Sequence, residues 1–264
     1  MREFDCGGGR TGLAFERLGR EPGLRHVFTT RRADGGGNLS LSGGRDPLAA
    51  RAERSAWCRA IGLDSRHLVV GGQVHGARVA RVGPAQRGRG HADPADVLPR
   101  CDALVCADPG IPLFSAAADC AAVLFYLTGP RPVLALAHAG WRGLRAGVLR
   151  ATVDEVLSAG GGGAADLLAG VCPCVGPPHY PVGPEVIEAA PPSSYRPDGD
   201  RWQLDLSAWV EAELLAAGLA REAIELSGRN TAAEPRFFSH RRDGAATGRM
   251  GLIAALVPAG AGEP

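Results

Sequence analysis

Five short apolar runs crowd the stretch between residues 67 and 137: HLVVG (67–71), a run at 78–82, DALVC (102–106), DCAAVLFYL (119–127) and VLALA (133–137). They have the length and composition of strands, and no amphipathic helix separates each pair. Such clustering disfavours a regularly alternating βαβ fold and predicts an α+β chain with layered sheets. Helices are expected at 47–61 (PLAARAERSAWCRAI), 144–157 (LRAGVLRATVDEVL) and 206–217 (LSAWVEAELLAA), with further strands near 166–171 and 252–257. Region 83–101 is rich in Gly, Pro and Arg and reads as an exposed, mobile loop. The glycine runs at 7–10, 34–38 and 160–163 are too short to act as domain linkers.

A chain of 264 residues buries a substantial core. Its formal charge of +1 gives no electrostatic case for nucleic acid or a membrane surface, and 5% aromatic residues leave little for base stacking. All 29 basic residues are arginines. That excludes a Schiff-base lysine, a phosphate-loop lysine and a lysine general base, so anions fall to arginines or backbone amides. MREFDCGGGR at the amino terminus has no apolar signal-peptide core, and no uninterrupted apolar stretch approaches membrane-spanning length. Seven cysteines, an odd number scattered along the chain, fit reduced thiols better than a disulfide framework. A cytoplasmic protein is expected.

Three metal-competent residues adjoin apolar runs. His75 follows LVVGG, Cys120 enters AVLFYL, and His138 leaves VLALA. Strand ends bring side chains from distant segments to one point. Two imidazoles and a thiolate suit zinc, and three protein ligands leave a fourth position open, as in catalytic sites. Against this, strand-end histidines commonly serve as hydrogen-bonded core residues and buried cysteines as small hydrophobes. No short zinc pattern is present, and Cys172 and Cys174 read as inert buried thiols. FFSHRRDGAATGRM (237–250) gathers Arg241, Arg242 and Arg249 around a turn, and Arg142 follows His138. Such a cluster grips phosphate or carboxylate with paired donors, or else is a solvated charged turn.

QVHG (73–76), CDALVCADPGIPLFSAAADCAAVLFYL (101–127), LALAHAGWRG (134–143), PCVGPPHYPVGPEV (173–186) and FFSHRRDGAATGRM (237–250) occur in this order, with HVFTTR (26–31) and GNLSL (37–41) before them. Together they resemble the laccase-domain, or multicopper polyphenol oxidase, family. Its members are now regarded as zinc-dependent purine nucleoside phosphorylases, and some bacterial ones are called peptidoglycan editing factors. The resemblance implies a single α/β domain over 1–264, a four-layer sandwich with two mixed β-sheets between helical layers. Residues 1–22 and 259–264 are expected to be peripheral or flexible.

The resemblance also puts the family's metal-binding and catalytic trio on His75, Cys120 and His138, with Zn²⁺ as cofactor and copper binding expected only in vitro. It implies purine nucleosides and phosphate as partners: phosphorolysis of adenosine, inosine and S-methyl-5′-thioadenosine, with some adenosine deamination. Asn38, Arg54 and Gln73 carry over as pocket residues, as do Asp119, Arg142, Ser239, Arg241, Arg242 and Arg249. This chain departs from the pattern where Pro178 and His179 replace two cysteines, where Asn230 stands in a Cys-Thr pair, and where His240 replaces a tyrosine. If those thiols only line the pocket, their loss shifts substrate preference.

Three rival readings follow. Cys120 with His138 as base is a nucleophile for amide hydrolysis or deamidation, editing a peptidoglycan precursor. A multicopper oxidase needs many more histidines than seven and a richer ligand pattern than three residues. A non-catalytic scaffold with a structural zinc normally closes the site with four ligands, and only three are evident.

Overall fold

The computed structural model describes residues 1–43 and 46–258; positions 259–264, expected to be peripheral, lie outside the described residues. Its strands are β1 (Arg2–Asp5), β2 (Thr11–Ala14), β3 (Leu24–Phe28), β4 (Val69–Val70), β5 (Val79–Val82), β6 (Ala103–Cys106), β7 (Leu113–Ala117) and β8 (Ala121–Leu127). They continue with β9 (Val133–Ala139), β10 (Leu167–Val171), β11 (Pro181–Val182), β12 (Tyr195–Asp198), β13 (Arg201–Leu204), β14 (Ile224–Leu226) and β15 (Met250–Leu256). One six-stranded sheet has the order β1-β2-β3-β15-β7-β4, a second β14-β10-β8-β9-β6-β5, and β11-β13-β12 form a small third. Both large sheets are mixed: β4 runs parallel to β7, and β5 and β14 run parallel to β6 and β10, while the other pairs are antiparallel.

The layer order follows from which way alternate side chains point. Every residue of β8 and β9 is buried, the pattern of strands covered on both faces. Val123, Phe125 and Leu127 of β8 join a core beneath helices α3 (Val148–Gly160) and α5 (Leu206–Ala216), to which the one-turn helix α4 (Pro184–Ile187) adds Val186. Ala122, Leu124 and Tyr126 face the other way, into a core shared with Phe28, Leu113 and Leu252 of the first sheet. The outer face of that sheet, with Val27, Phe114 and Ile253, packs on Trp57 and Cys58 of helix α1 (Pro47–Ala60). The sequence of layers is therefore α1, first sheet, second sheet, α3 with α5. This is the four-layer α+β arrangement expected.

Asp46 caps α1 by accepting the Leu48 and Ala49 N–H groups, and Pro47 sits in the first turn, where its missing N–H costs nothing. Residues 1–22 supply the β1–β2 edge hairpin, and Leu13 and Phe15 within them are fully buried.

Two expectations are corrected. The helix expected over 144–157 is two helices, α2 (Trp141–Arg145) and α3, because Gly147 takes the left-handed conformation (φ 82°) and breaks the run. Region 83–101 is exposed at nine of its 19 positions, as expected, but it is tied to the sheet rather than loose. It pairs along the free edge of β4: Val70 and Gly72 donate to Arg89 and Leu98 carbonyls, and Leu98 donates back to Val70. Covering that edge satisfies its backbone groups. Among the described residues no helix is long and apolar enough to cross a membrane.

Candidate metal centre and cleft

Strand β9 delivers His138, and its two neighbours build the rest. On one side Ala121 of β8 pairs with Ala139, which sets Cys120 opposite Gly140. On the other, Ala103 of β6 pairs with Ala137, which sets Asp102 opposite His138. His75 arrives from the turn between β4 and β5. That turn wraps the Asp102 carboxylate, which accepts the N–H groups of His75 and Gly76 at 2.8 Å and of Val74 at 3.2 Å. His75 itself has φ 60°, a sparsely populated conformation for a residue with a Cβ, held in place by these three bonds.

The ligand atoms of His75, Cys120 and His138 lie within 4.8 Å of one another, with His75 exposed, Cys120 half-buried and His138 buried. The imidazoles meet edge to face, centroids 4.8 Å apart. Bonds of about 2.0–2.3 Å put two ligands of one tetrahedral ion roughly 3.3–3.8 Å apart, so small side-chain rotations close the set. Gly140 leaves the necessary room: a Cβ there would stand 2.7 Å from Cys120 Sγ and 3.1 Å from His75 Cδ2. His138 Nδ1 donates to Asp102 Oδ1 at 3.0 Å. An ionised carboxylate only accepts, so Nδ1 carries a proton and Nε2 is the nitrogen available to a metal. The donor set and its cradle fit a metal ion.

Electrostatics agree. Burial pushes the Cys120 thiol up, but the His138 charge and hydrogen bonds from both imidazoles outweigh it and lower its pKa. Burial lowers His138, and the Cys120 thiolate and the Asp102 carboxylate more than reverse that. Asp102 is pushed up by burial and pulled below its ordinary range by the His138 bond and the turn amides. The metal-free site thus favours a thiolate beside an imidazolium; the thiolate is the form a metal binds, and a metal would displace the second ring proton of His138. Cys172 and Cys174 are not part of the ligand cluster, and burial pushes both thiols far up.

The trio borders a cleft of about 690 Å³. Of the other expected residues, Arg54, Gln73, Asp119, Arg142, Arg241 and Arg249 line it. Gln73 uses its amide as a strand would, donating to the Ala116 carbonyl and accepting its N–H at 2.8 and 2.9 Å. Asp119 accepts Thr231 Oγ1 and the Arg241 N–H, both at 2.6 Å, tying the β7–β8 turn to the short helix α6 (His240–Asp243). Arg142 lies over the Trp141 ring, and Arg241 over Tyr180.

Three expected residues are not in the lining. Asn38 Oδ1 accepts the Ser40 and Arg249 N–H groups and braces those segments. Ser239 caps α6 through Arg242 N–H. The Arg242 guanidinium is taken up by the carbonyls of Thr231, Glu234 and Phe237 and by Asp243. Asp102, Phe114, Tyr180 and Ser40 belong to the site and were not singled out from the sequence. His179 Nδ1 and Asn230 Nδ2, at two departures from the family pattern, are 3.2 Å apart.

A family model described as multi-copper polyphenol oxidoreductase laccase matches residues 25–257. The chain belongs to this family. The purine nucleoside phosphorylase of Mycobacterium tuberculosis H37Rv is 34% identical to it over 240 residues, covering 87% of this chain and 91% of that protein. Purine nucleoside phosphorylase YlmD of Geobacillus stearothermophilus is 34% identical over 193 residues, 67% of this chain and 68% of its own. The crystal structure of that bacterium's YlmD superposes with a TM-score of 0.87 at 28% identity, covering 94% and 96% of the two chains. The Bacillus licheniformis hypothetical protein YfiH gives 0.86 at 26%, covering 95% and 97%.

Proposed function

We propose that this chain is a zinc-dependent purine nucleoside phosphorylase that splits adenosine, inosine and S-methyl-5′-thioadenosine into free base and the corresponding pentose 1-phosphate. The observation that carries this reading is the His75–Cys120–His138 cluster in the wall of an arginine-bearing cleft large enough for a nucleoside. Two imidazoles and a thiolate select zinc over magnesium or calcium, and three ligands leave a place for substrate. Relatives about one-third identical bear the phosphorylase name. Zinc, when bound, supplies a concentrated positive charge against which a purine can leave.

The chain's own groups do the rest. Asp102 fixes the tautomer and orientation of His138. Arginines hold phosphate by charge-assisted bonds and set it in line with C1′ of the ribose. Tyr180, beneath Arg241, and Trp141, beneath Arg142, give those guanidinium groups fixed platforms. Slow adenosine deamination is the side reaction proposed for the same site. All seven cysteines are free, in keeping with the cytoplasm as the proposed compartment.

A second reading has one observation in its favour: without metal, Cys120, His138 and Asp102 form a nucleophile–base–orienter series of the kind that cleaves amides. A copper oxidase has less support, since the described residues contain a single three-ligand cluster. Metal-assayed protein incubated with each nucleoside, with and without phosphate, separates the two main readings. Phosphate-dependent release of free base, lost on chelation and regained with zinc, is the expected result. Silence on all three nucleosides, with amide cleavage by metal-free protein, moves the assignment to the amidase.

A further inference from the structure

A guanidinium taken out of water needs an anion or a full set of acceptors. Arg10 and Arg32 share the Glu53 carboxylate, and Arg242 has Asp243 and a ring of carbonyls. Arg54 has no such partner. It is 4% exposed, on the inner side of α1. Nε donates to the Leu39 carbonyl at 2.8 Å, and Nη1 to those of Gly90 and His91 at 2.9 and 3.2 Å. The group lies over the Phe114 ring at 4.6 Å. Among the described residues no carboxylate pairs with it and Nη2 has no hydrogen-bond partner, yet the residue lines the cleft. Burial lowers its pKa to about 10, which leaves it fully charged at neutral pH.

The surroundings form a built site. Leu39, whose carbonyl aims the guanidinium, precedes Ser40, and the Ser40 hydroxyl lies in the same cleft 3.2 Å from that of Ser42. Strand β7 joins this end to the metal trio, running from Phe114 beneath Arg54 to the turn that carries Cys120. Six residues of chain reach at most roughly 20 Å, so one cleft serves both.

We propose that Arg54, with the Ser40 hydroxyl in the same cleft, is the docking site for the inorganic phosphate co-substrate; this rests on the phosphorylase reading. The unused Nη2 and the hydroxyl bind phosphate oxygens while carbonyls and Phe114 keep the guanidinium fixed. A phosphate oxygen then bonds to C1′ as the C1′–N9 bond breaks, its electron pair leaving with the purine, which takes a proton from water.

The test uses the zinc-loaded full chain and inorganic phosphate alone, by calorimetry, beside steady-state kinetics. Arg54→Lys keeps the charge and loses the fork; Ser40→Glu, at a partly exposed position, places a competing carboxylate in the same cleft without touching the core. Both are expected to weaken phosphate binding and raise the phosphate KM by about tenfold to a hundredfold, with the nucleoside KM changed less than about threefold. Unchanged phosphate affinity in both variants, or no phosphate binding to the wild-type chain, overturns the assignment. Phosphorolysis with an ordinary phosphate KM in both variants sinks this subsite and leaves the function standing. Phosphate binding that both variants weaken, in a chain that phosphorolyses no nucleoside, upholds the anion site and removes the phosphorylase.

Discussion

Replacing Asp102 by Asn exchanges one acceptor oxygen for a donor and leaves the shape of the side chain intact. The carboxylate meets four N–H groups, three from the His75 turn and one from His138 Nδ1. An amide must turn its own N–H₂ against one of these, so the turn or the imidazole loses its orientation. Asp102→Asn is expected to lower zinc affinity about tenfold to a hundredfold, read by competition with a chromophoric chelator, with far-UV circular dichroism unchanged. Wild-type affinity in the variant means that Asp102 does not position the ligands. His75, Cys120 and His138 were legible because each stands where an apolar run begins or ends. Asp102 was not, since an aspartate at a strand entrance looks like any solvated acid. Only the β6–β9 register, which sets it opposite His138, reveals it. Arg242 and Asn38 show the converse: residue types suited to binding, consumed by the backbone around them.

Apolar runs bounded by turn residues were readable as strands even where the strand is short, as β4, β5 and β6 with two to four residues show. The runs at 119–127 and 133–137 correspond closely to β8 and β9, because both faces are covered and, His138 of β9 apart, every residue is apolar or aromatic. Strands β11 to β14 (PV, YRPD, RWQL and IEL) are as short and carry polar or proline residues, so no apolar run marks them. The single helix drawn over 144–157 failed at Gly147, whose positive φ no pattern of apolar residues announces. Strand β3 carries a titration of its own. Nε2 of buried His26 accepts the Phe15 N–H at 2.9 Å, and the rings of the two residues stack. Burial, helped by the charge of Arg2, lowers the pKa of His26 to about 4 from 6.5. Between those values the unfolded chain binds the extra proton, so stability rises with pH across the window. The contribution is complete above about 6.5 and is lost as pH falls toward 4, at most about 3 kcal/mol. His26→Gln keeps an acceptor and removes the titration. Urea unfolding of the variant at several pH values from 4 to 7.5 should show a shallower loss of stability on the acid side, and profiles parallel to wild type would refute the assignment.

The layer order of the described structure places the metal trio at the rim of the inter-sheet core, not within it. Tightly packed clusters fill each interface between layers with residues such as Phe28, Leu124, Trp57 and Trp209, and none of them needs a ligand to be buried. The continuous apolar strands made two covered sheets legible from the sequence. That α1 and its arginine would face the same cleft as the strand-end trio was expected only from the family resemblance and not from composition or spacing, because it depends on β4 lying at a sheet edge and on 83–101 folding over it. A rim site gives metal removal a definite outcome. On the proposed function zinc would bind the folded chain alone and would raise stability by about 4 kcal/mol when free metal is a thousandfold above its Kd. For a chain of this size that is a Tm shift of roughly 10 °C. Chelator-stripped protein should therefore melt about that much lower, yet keep a cooperative transition and its near-UV circular dichroism. Cys120→Ser should melt close to the stripped protein, no longer respond to added zinc, and release no purine, whereas stripped wild type regains activity on zinc addition. A Cys120→Ser chain without fixed tertiary packing would instead identify the metal as a structural element of the fold, and the catalytic assignment of the trio would have to be withdrawn.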